Sequence, residues 1–166
     1  MKRSIPPSIA LLPGHPGGGG ELYVACVSVT GGRAGHGRVS GLARSDDGEL
    51  ELELRMPPAL GGSGGGTNPE QLFAAGYAAC FHGSLMLLAS QRGIAASGTE
   101  VAVEVSFGRD PADGLFMLAS HVRVRMPGIP RIAAAELVRN AEWVCPYAKM
   151  ARQGIESVVT LVEHGD

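Results

Sequence analysis

Apolar and small residues are densest between positions 67 and 88, TNPEQLFAAGYAACFHGSLMLL, where they fall on nearly every side of a helical projection. A helix that is apolar all round is buried rather than amphipathic. Asn68 suits an N-cap, Pro69 suits the first helical position, and Gly93 is a plausible stop. The pattern therefore predicts one long helix from Pro69 to about Arg92. Residues 49–54, ELELEL, alternate strictly and predict a half-buried strand. Residues 21–30, ELYVACVSVT, have strand composition and end at a Gly31-Gly32 turn. Two further strand-like runs, 100–107 and 115–126, flank a DPADG turn at 110–114. Residues 132–144 read as a helix that stops before Cys145-Pro146, and a short helix follows to about Gln153. Residues 155–162, IESVVTLV, read as a closing strand, and 57–66 as a Gly-rich loop. Strands before and after a central helix, without regular alternation, predict an α+β fold.

Composition narrows the picture. The 166 residues, 45% hydrophobic and 18% charged, suit one soluble domain with a real core. A net charge of −2 and no Lys/Arg cluster give no reason to expect nucleic acid. Residues 1–20, rich in Pro and Gly, are expected to be a flexible extension, with the domain over 21–166. Their apolar segment, 9–12, is too short and too hemmed by prolines for a signal peptide. No stretch is expected to reach transmembrane length. The cytoplasm is the expected compartment.

The candidate chemistry lies in the cysteines. Taken alone, Cys80 in an apolar helix would be an inert small core residue. Its neighbours alter that: Gly76, Gly83 and Ser84 leave its face nearly bare of bulk, and Tyr77 adds a hydroxyl three residues before. Such a face could admit another helix or a ligand. His82, two residues away, does not share that face and is read as a packing or dimer-surface residue. Cys145 precedes Pro146 at a helix start, where amide dipoles favour a thiolate, and Lys149 is placed to face back toward it. Cys26 reads as structural. The five histidines form no metal motif. A nucleophilic thiol must ionise, and apolar surroundings oppose that. No Lys or Arg lies within four residues of Cys80, so a cation must come from elsewhere. Arg33, in TGGR, is the candidate.

NPEQLFAAGYAACF (68–81) and VCPYAK (144–149), with the weaker TGGR (30–33), resemble the organic hydroperoxide resistance (Ohr) branch of the OsmC/Ohr superfamily of thiol-dependent peroxidases, over about residues 22–163. The resemblance implies antiparallel sheets wrapped around long central helices in an intertwined homodimer. It implies that Cys80 is the peroxidatic cysteine and Cys145 the resolving one. It further implies that Arg33 holds the thiolate and pairs with Glu70. Phe73, Tyr77, Phe81 and Tyr147 are expected to contact an organic hydroperoxide. The run after Arg33, AGHGRVSGLARS, departs from the usual pattern and makes Arg38 the reserve cation. The implied cycle passes through a Cys80 sulfenic acid and a Cys80–Cys145 disulfide, reset by a lipoyl dithiol, with no cofactor, metal, nucleic acid or membrane involved. Tyr77 and the Cys-Pro-Tyr run favour this branch over the OsmC branch. A non-enzymatic thiol sensor of the same fold is the rival of another class. Glu70 and Cys80 stand ten residues apart, ~15 Å along a helix. Either the helix begins later than Pro69, leaving Glu70 on a loop that folds back, or Arg33 and Glu70 come from the partner subunit; the bare Gly76/Cys80/Ser84 face favours the partner.

Overall fold

The computed structural model describes residues 22–32 and 40–162. The extension 1–20, Arg33 and Arg38 lie outside the described residues. Five strands and three α-helices are described: β1 (Val27–Thr30), β2 (Gly41–Ser45), β3 (Glu51–Leu54), α1 (Pro69–Gln91), β4 (Glu100–Arg109), β5 (Phe116–Arg125), α2 (Arg131–Val144) and α3 (Pro146–Gln153). A single 3-10 turn, Pro58–Leu60, interrupts the expected Gly-rich loop. The class is α+β, as predicted.

The chain divides into two units. One holds, among the described residues, 22–32, 40–75 and Glu104–His121. In it β1, β2 and β3 form an antiparallel sheet in that order, with Val27 opposite Ser45 and Gly41 opposite Leu54. The alternating run puts Leu54 inside and Glu51 and Glu53 outside. β2 was not expected: GLARS lacks β-branched and aromatic residues, and only its two neighbours hold it as a strand. Thr67 bonds across to the end of β3, its amide to Glu53 O at 2.9 Å and its carbonyl to Arg55 N at 2.8 Å. That stitch fixes where α1 begins. Asn68 Oδ1 then accepts the Gln71 amide at 2.9 Å, and Pro69 takes the first helical position. The DPADG turn also forms as expected, with Gly114 N donating to Asp110 O at 2.8 Å.

The other unit contains Gly76–Val103 and the chain from Val122 onward. α1 ends in a Schellman motif, with Ile94 N donating to Ala89 O and Gly93 N to Ser90 O. α2 runs antiparallel to this part of α1, because Cys80 meets Cys145 while Arg92 pairs with Glu136 at 3.0 Å. Leu85 of α1 and Leu137 of α2 are fully buried. Tyr77, Phe81, Leu88, Ala141 and Ala148 complete this core.

Three expectations need correction. The strand expected over 21–30 covers only Val27–Thr30. The strand expected at 155–162 is irregular and exposed, with Val159 95% and Leu161 92% accessible. No described strand pairs with it, and a lone strand has no ladder to satisfy its backbone. Finally, α1 is itself long and apolar enough to cross a membrane, at 23 residues and hydropathy 1.6. A core helix apolar on all sides has the composition of a span. Within this chain only 33% of its most apolar window is buried.

Candidate active site

Cys145 is the one residue between α2 and α3, and its neighbour explains why. A residue before proline is pushed out of helical geometry. Cys145 accordingly sits at φ −66°, ψ 120°, ending α2 while Pro146 opens α3. The chain turns at the cysteine and aims its side chain into the core, where it is completely buried. Its thiol donates to Cys80 Sγ at 3.2 Å across a separation of 65 residues. Cys80 is partly exposed and lies mid-way along α1, where Ser84 Oγ donates to its carbonyl at 3.0 Å.

The electrostatics differ from expectation at Cys145. Burial pushes its thiol pKa up, and the Ala148 and Tyr147 amides only partly oppose this, while Cys80 adds to the rise. The cysteine is the N-cap of α3 as predicted, yet its side chain makes no full capping hydrogen bond. Loss of water therefore outweighs the helix dipole, and the neutral thiol is favoured. Lys149 is exposed. Burial likewise raises the Tyr77 phenol, helped by Cys145 and Glu142 and opposed by Arg152.

Aromatic rings close one side of the cysteine pair. Tyr77 lies 5.8 Å from Tyr147 at 30° and 6.4 Å from Phe81. The part of the seemingly bare face at Gly76 and Cys80 is filled from the same chain, while the space beside Gly83 is open. A Cβ on Gly76 would stand 2.7 Å from the Tyr147 hydroxyl, so glycine there makes room for Tyr147 one turn before Cys80. Cys80, on the same face, meets Cys145. At Gly76 and Cys80, then, the space is taken by Tyr147 and Cys145 of the same chain. Tyr77 and Phe81 also line a cavity of about 200 Å³ with Val122, Val124, Val138 and Glu142. The last four gave no signal in sequence, because β5 and α2 reach this place only through the fold. Leu85 belongs to the sealed core, while Leu72 and Met86 are half-buried.

Glu70 and Phe73 lie in the first turns of α1, in the other unit. The helix starts at Pro69, so Glu70 and Cys80 do stand ten residues apart on one continuous helix. Ahead of Arg33, a Cβ on Gly32 would collide with the Ser40 carbonyl, so the TGGR turn requires its second glycine. Cys26 is exposed rather than in the core. His82 is half-buried on α1.

With this geometry in hand, similarity to known proteins decides the family. A family model described as OsmC-like protein matches residues 62–160. The chain belongs to the OsmC-like family. Among its curated relatives, an organic hydroperoxide resistance protein of Xanthomonas axonopodis pv. citri is 42% identical over 141 residues, covering 84% of this chain and 94% of the relative. The organic hydroperoxide resistance protein OhrB of Bacillus subtilis is also 42% identical, over 135 residues. The crystal structure of that OhrB matches with a TM-score of 0.68 over 80% of this chain and 93% of its own, at 41% identity. An organic hydroperoxide resistance protein from Legionella pneumophila matches with a TM-score of 0.72 at 38% identity, over 81% and 93% of the two chains. The OsmC-like fold here thus has the three helices and antiparallel sheets of those neighbours.

Proposed function

We propose that this OsmC-like protein is a thiol peroxidase that reduces organic hydroperoxides to alcohols. The observation that carries the proposal is the Cys80–Cys145 pair, with the sulfurs 3.2 Å apart. Cys80 attacks the terminal peroxide oxygen as a thiolate, the O–O bond breaks, and the alkoxide takes a proton to leave as alcohol. Cys80 is then a sulfenic acid. The Cys145 thiol attacks that sulfur, water leaves, and a disulfide forms. A dithiol of the lipoyl type reduces it by two exchange steps. Sulfur carries the whole redox change, so no metal or flavin enters.

The named relatives support the substrate class, since both are organic hydroperoxide resistance proteins. Tyr77, Phe81 and Tyr147 beside the cysteines supply apolar surface for an alkyl group, and Phe73 is proposed to extend it. Each buried methylene contributes ~0.8 kcal/mol that hydrogen peroxide lacks. Arg33 and Glu70 are proposed to hold the thiolate, with Arg38 in reserve.

A homodimer is part of the proposal. Only 33% of the apolar α1 window is buried in one chain, most of the rest being half-buried, and the exposed Val158, Val159, Leu161 and Val162 have the composition of a strand awaiting a neighbour. A second copy, rather than lipid, is proposed to cover them, with the protein soluble in the cytoplasm. The domain is proposed to span 21–166, with 1–20 a flexible extension.

Steady-state consumption tests the reading. An alkyl hydroperoxide with dihydrolipoamide should sustain many turnovers, at higher kcat/KM than hydrogen peroxide. A thiol sensor would oxidise once and stop. Preference for hydrogen peroxide would contradict the apolar contact surface.

A further inference from the structure

Arg152 has no part in the chemistry above, yet it is attached to the site's framework at three points. It projects from the last turn of α3. Its Nη1 donates to the Glu142 backbone carbonyl at 2.7 Å. The same nitrogen lies 3.7 Å from Glu142 Oε1. Its guanidinium sits 5.0 Å above the Trp143 ring. All three contacts fall on the last turn of α2. The Glu142 carbonyl there has no amide four residues on, because Pro146 lacks an N–H, and it lies at the negative end of the helix dipole, so a planar cation with several donors fits it well.

What this arrangement encloses is Cys145. The cysteine is the single hinge residue between α2 and α3, and Arg152 joins the two helices across it. Backbone bonds continue on both sides, from Cys145 N to Ala141 O at 2.8 Å and from Lys149 N to Cys145 O at 3.0 Å. The corner therefore behaves as one piece, with the buried sulfur at its apex and the guanidinium at its open end. At the apex, Tyr147 rests on Tyr77 of α1. The Arg152 contacts thus bridge the two helices that carry Cys145 between them.

We propose that Arg152 is the positioning residue for the resolving step. This rests on the two-cysteine reading. In that step the Cys145 sulfur attacks the Cys80 sulfenic sulfur, the S–O bond breaks, and the thiol proton leaves with the hydroxyl as water. Attack on a sulfenic acid within one protein is fast because the partner is already placed. A misplacement near 1 Å can cost ~100-fold in rate. Arg152 touches neither sulfur, and the peroxide step does not use Cys145. Removing Arg152 should therefore separate the two steps.

The test uses pre-reduced full-length protein, mixed with one equivalent of an alkyl hydroperoxide, as wild type, Arg152→Ala and Arg152→Lys. Loss of peroxide reports the first step. Disulfide formation reports the second, and trapping with a carbon nucleophile selective for sulfenic acids reports the state between. Arg152→Ala should consume peroxide within ~2-fold of wild type, form the disulfide ~10- to 100-fold more slowly, and leave trappable sulfenic acid on Cys80. Arg152→Lys keeps the charge and a donor for the Glu142 carbonyl but loses the planar stack on Trp143, and should recover part of the rate. Wild-type disulfide formation in Arg152→Ala would overturn the inference. So would equal slowing of both steps with a lowered Tm, which marks a merely structural arginine. If wild type itself forms no Cys80–Cys145 disulfide, the two-cysteine reading falls, and the inference with it. If Arg152→Ala does not fold, Arg152→Gln carries the same comparison.

Discussion

Cys145 is a thiol held neutral by burial, and this has a measurable consequence for stability. Its folded pKa is raised above the unfolded one. Below the ordinary thiol value of about 8.5 both states keep the proton and the group adds no pH dependence. As pH rises past that value, the unfolded chain gives up its proton first and gains stability relative to the fold. The stability contribution is thus whole at neutral pH and lost as pH climbs toward the folded pKa. Thermal melts of reduced protein should show Tm falling more steeply above about pH 8.5 in wild type than in Cys145→Ser, which does not titrate there. Tyr77, also raised, adds to the fall only from about pH 10. Equal slopes would mean that Cys145 is better solvated than its burial indicates. The Cys-Pro pair made the helix cap legible in sequence, because proline acts on its immediate neighbour. The balance of burial over dipole was not legible. It depends on α1 lying against Cys145, a contact made across 65 residues.

At the scale of elements, local signals served where the chain carried its own start and stop. Asn68, Pro69 and Gly93 bracket α1, and the observed ends agree with them. The DPADG turn set the β4–β5 hairpin in the same way. Losing the Asn68 cap should be costly, since the Gln71 amide it satisfies lies at the start of the longest helix. Asn68→Ala should lower stability by ~1 kcal/mol, a fall of ~2–4 °C in Tm for a chain of this size. Thermal denaturation checks this, and an unchanged Tm would show the Thr67 stitch to β3 to be sufficient alone. Elements that depend on neighbours were read less well. β2 is a strand because β1 and β3 flank it, not because GLARS favours one. Residues 155–162 are the reverse case: their composition favours a strand, and among the described residues nothing pairs with them.

For the whole molecule, that unpaired segment and the incompletely buried α1 lead to the same expectation. Ending the chain after Gly154 should shift sedimentation from the proposed dimer to monomer or aggregate and lower Tm. A stable dimer after truncation would place the interface elsewhere. The family was legible from two segments because NPEQLFAAGYAACF and VCPYAK carry the residues that set the cysteine pair. The cavity walls, the Tyr147 seat on Gly76 and the Arg152 corner were not, since each needs residues that only the fold brings together. The central claim is that Cys80 takes the oxygen and Cys145 releases it as water. It is tested most directly by mass spectrometry of reduced protein after one equivalent of alkyl hydroperoxide. Wild type should lose two hydrogens and yield a peptide pair joined through Cys80 and Cys145. Cys145→Ser should instead gain one oxygen on Cys80, consume one equivalent and stall, and Cys80→Ser should remain unmodified. Normal turnover of Cys145→Ser with dihydrolipoamide, or oxidation that spares Cys80, would contradict the account.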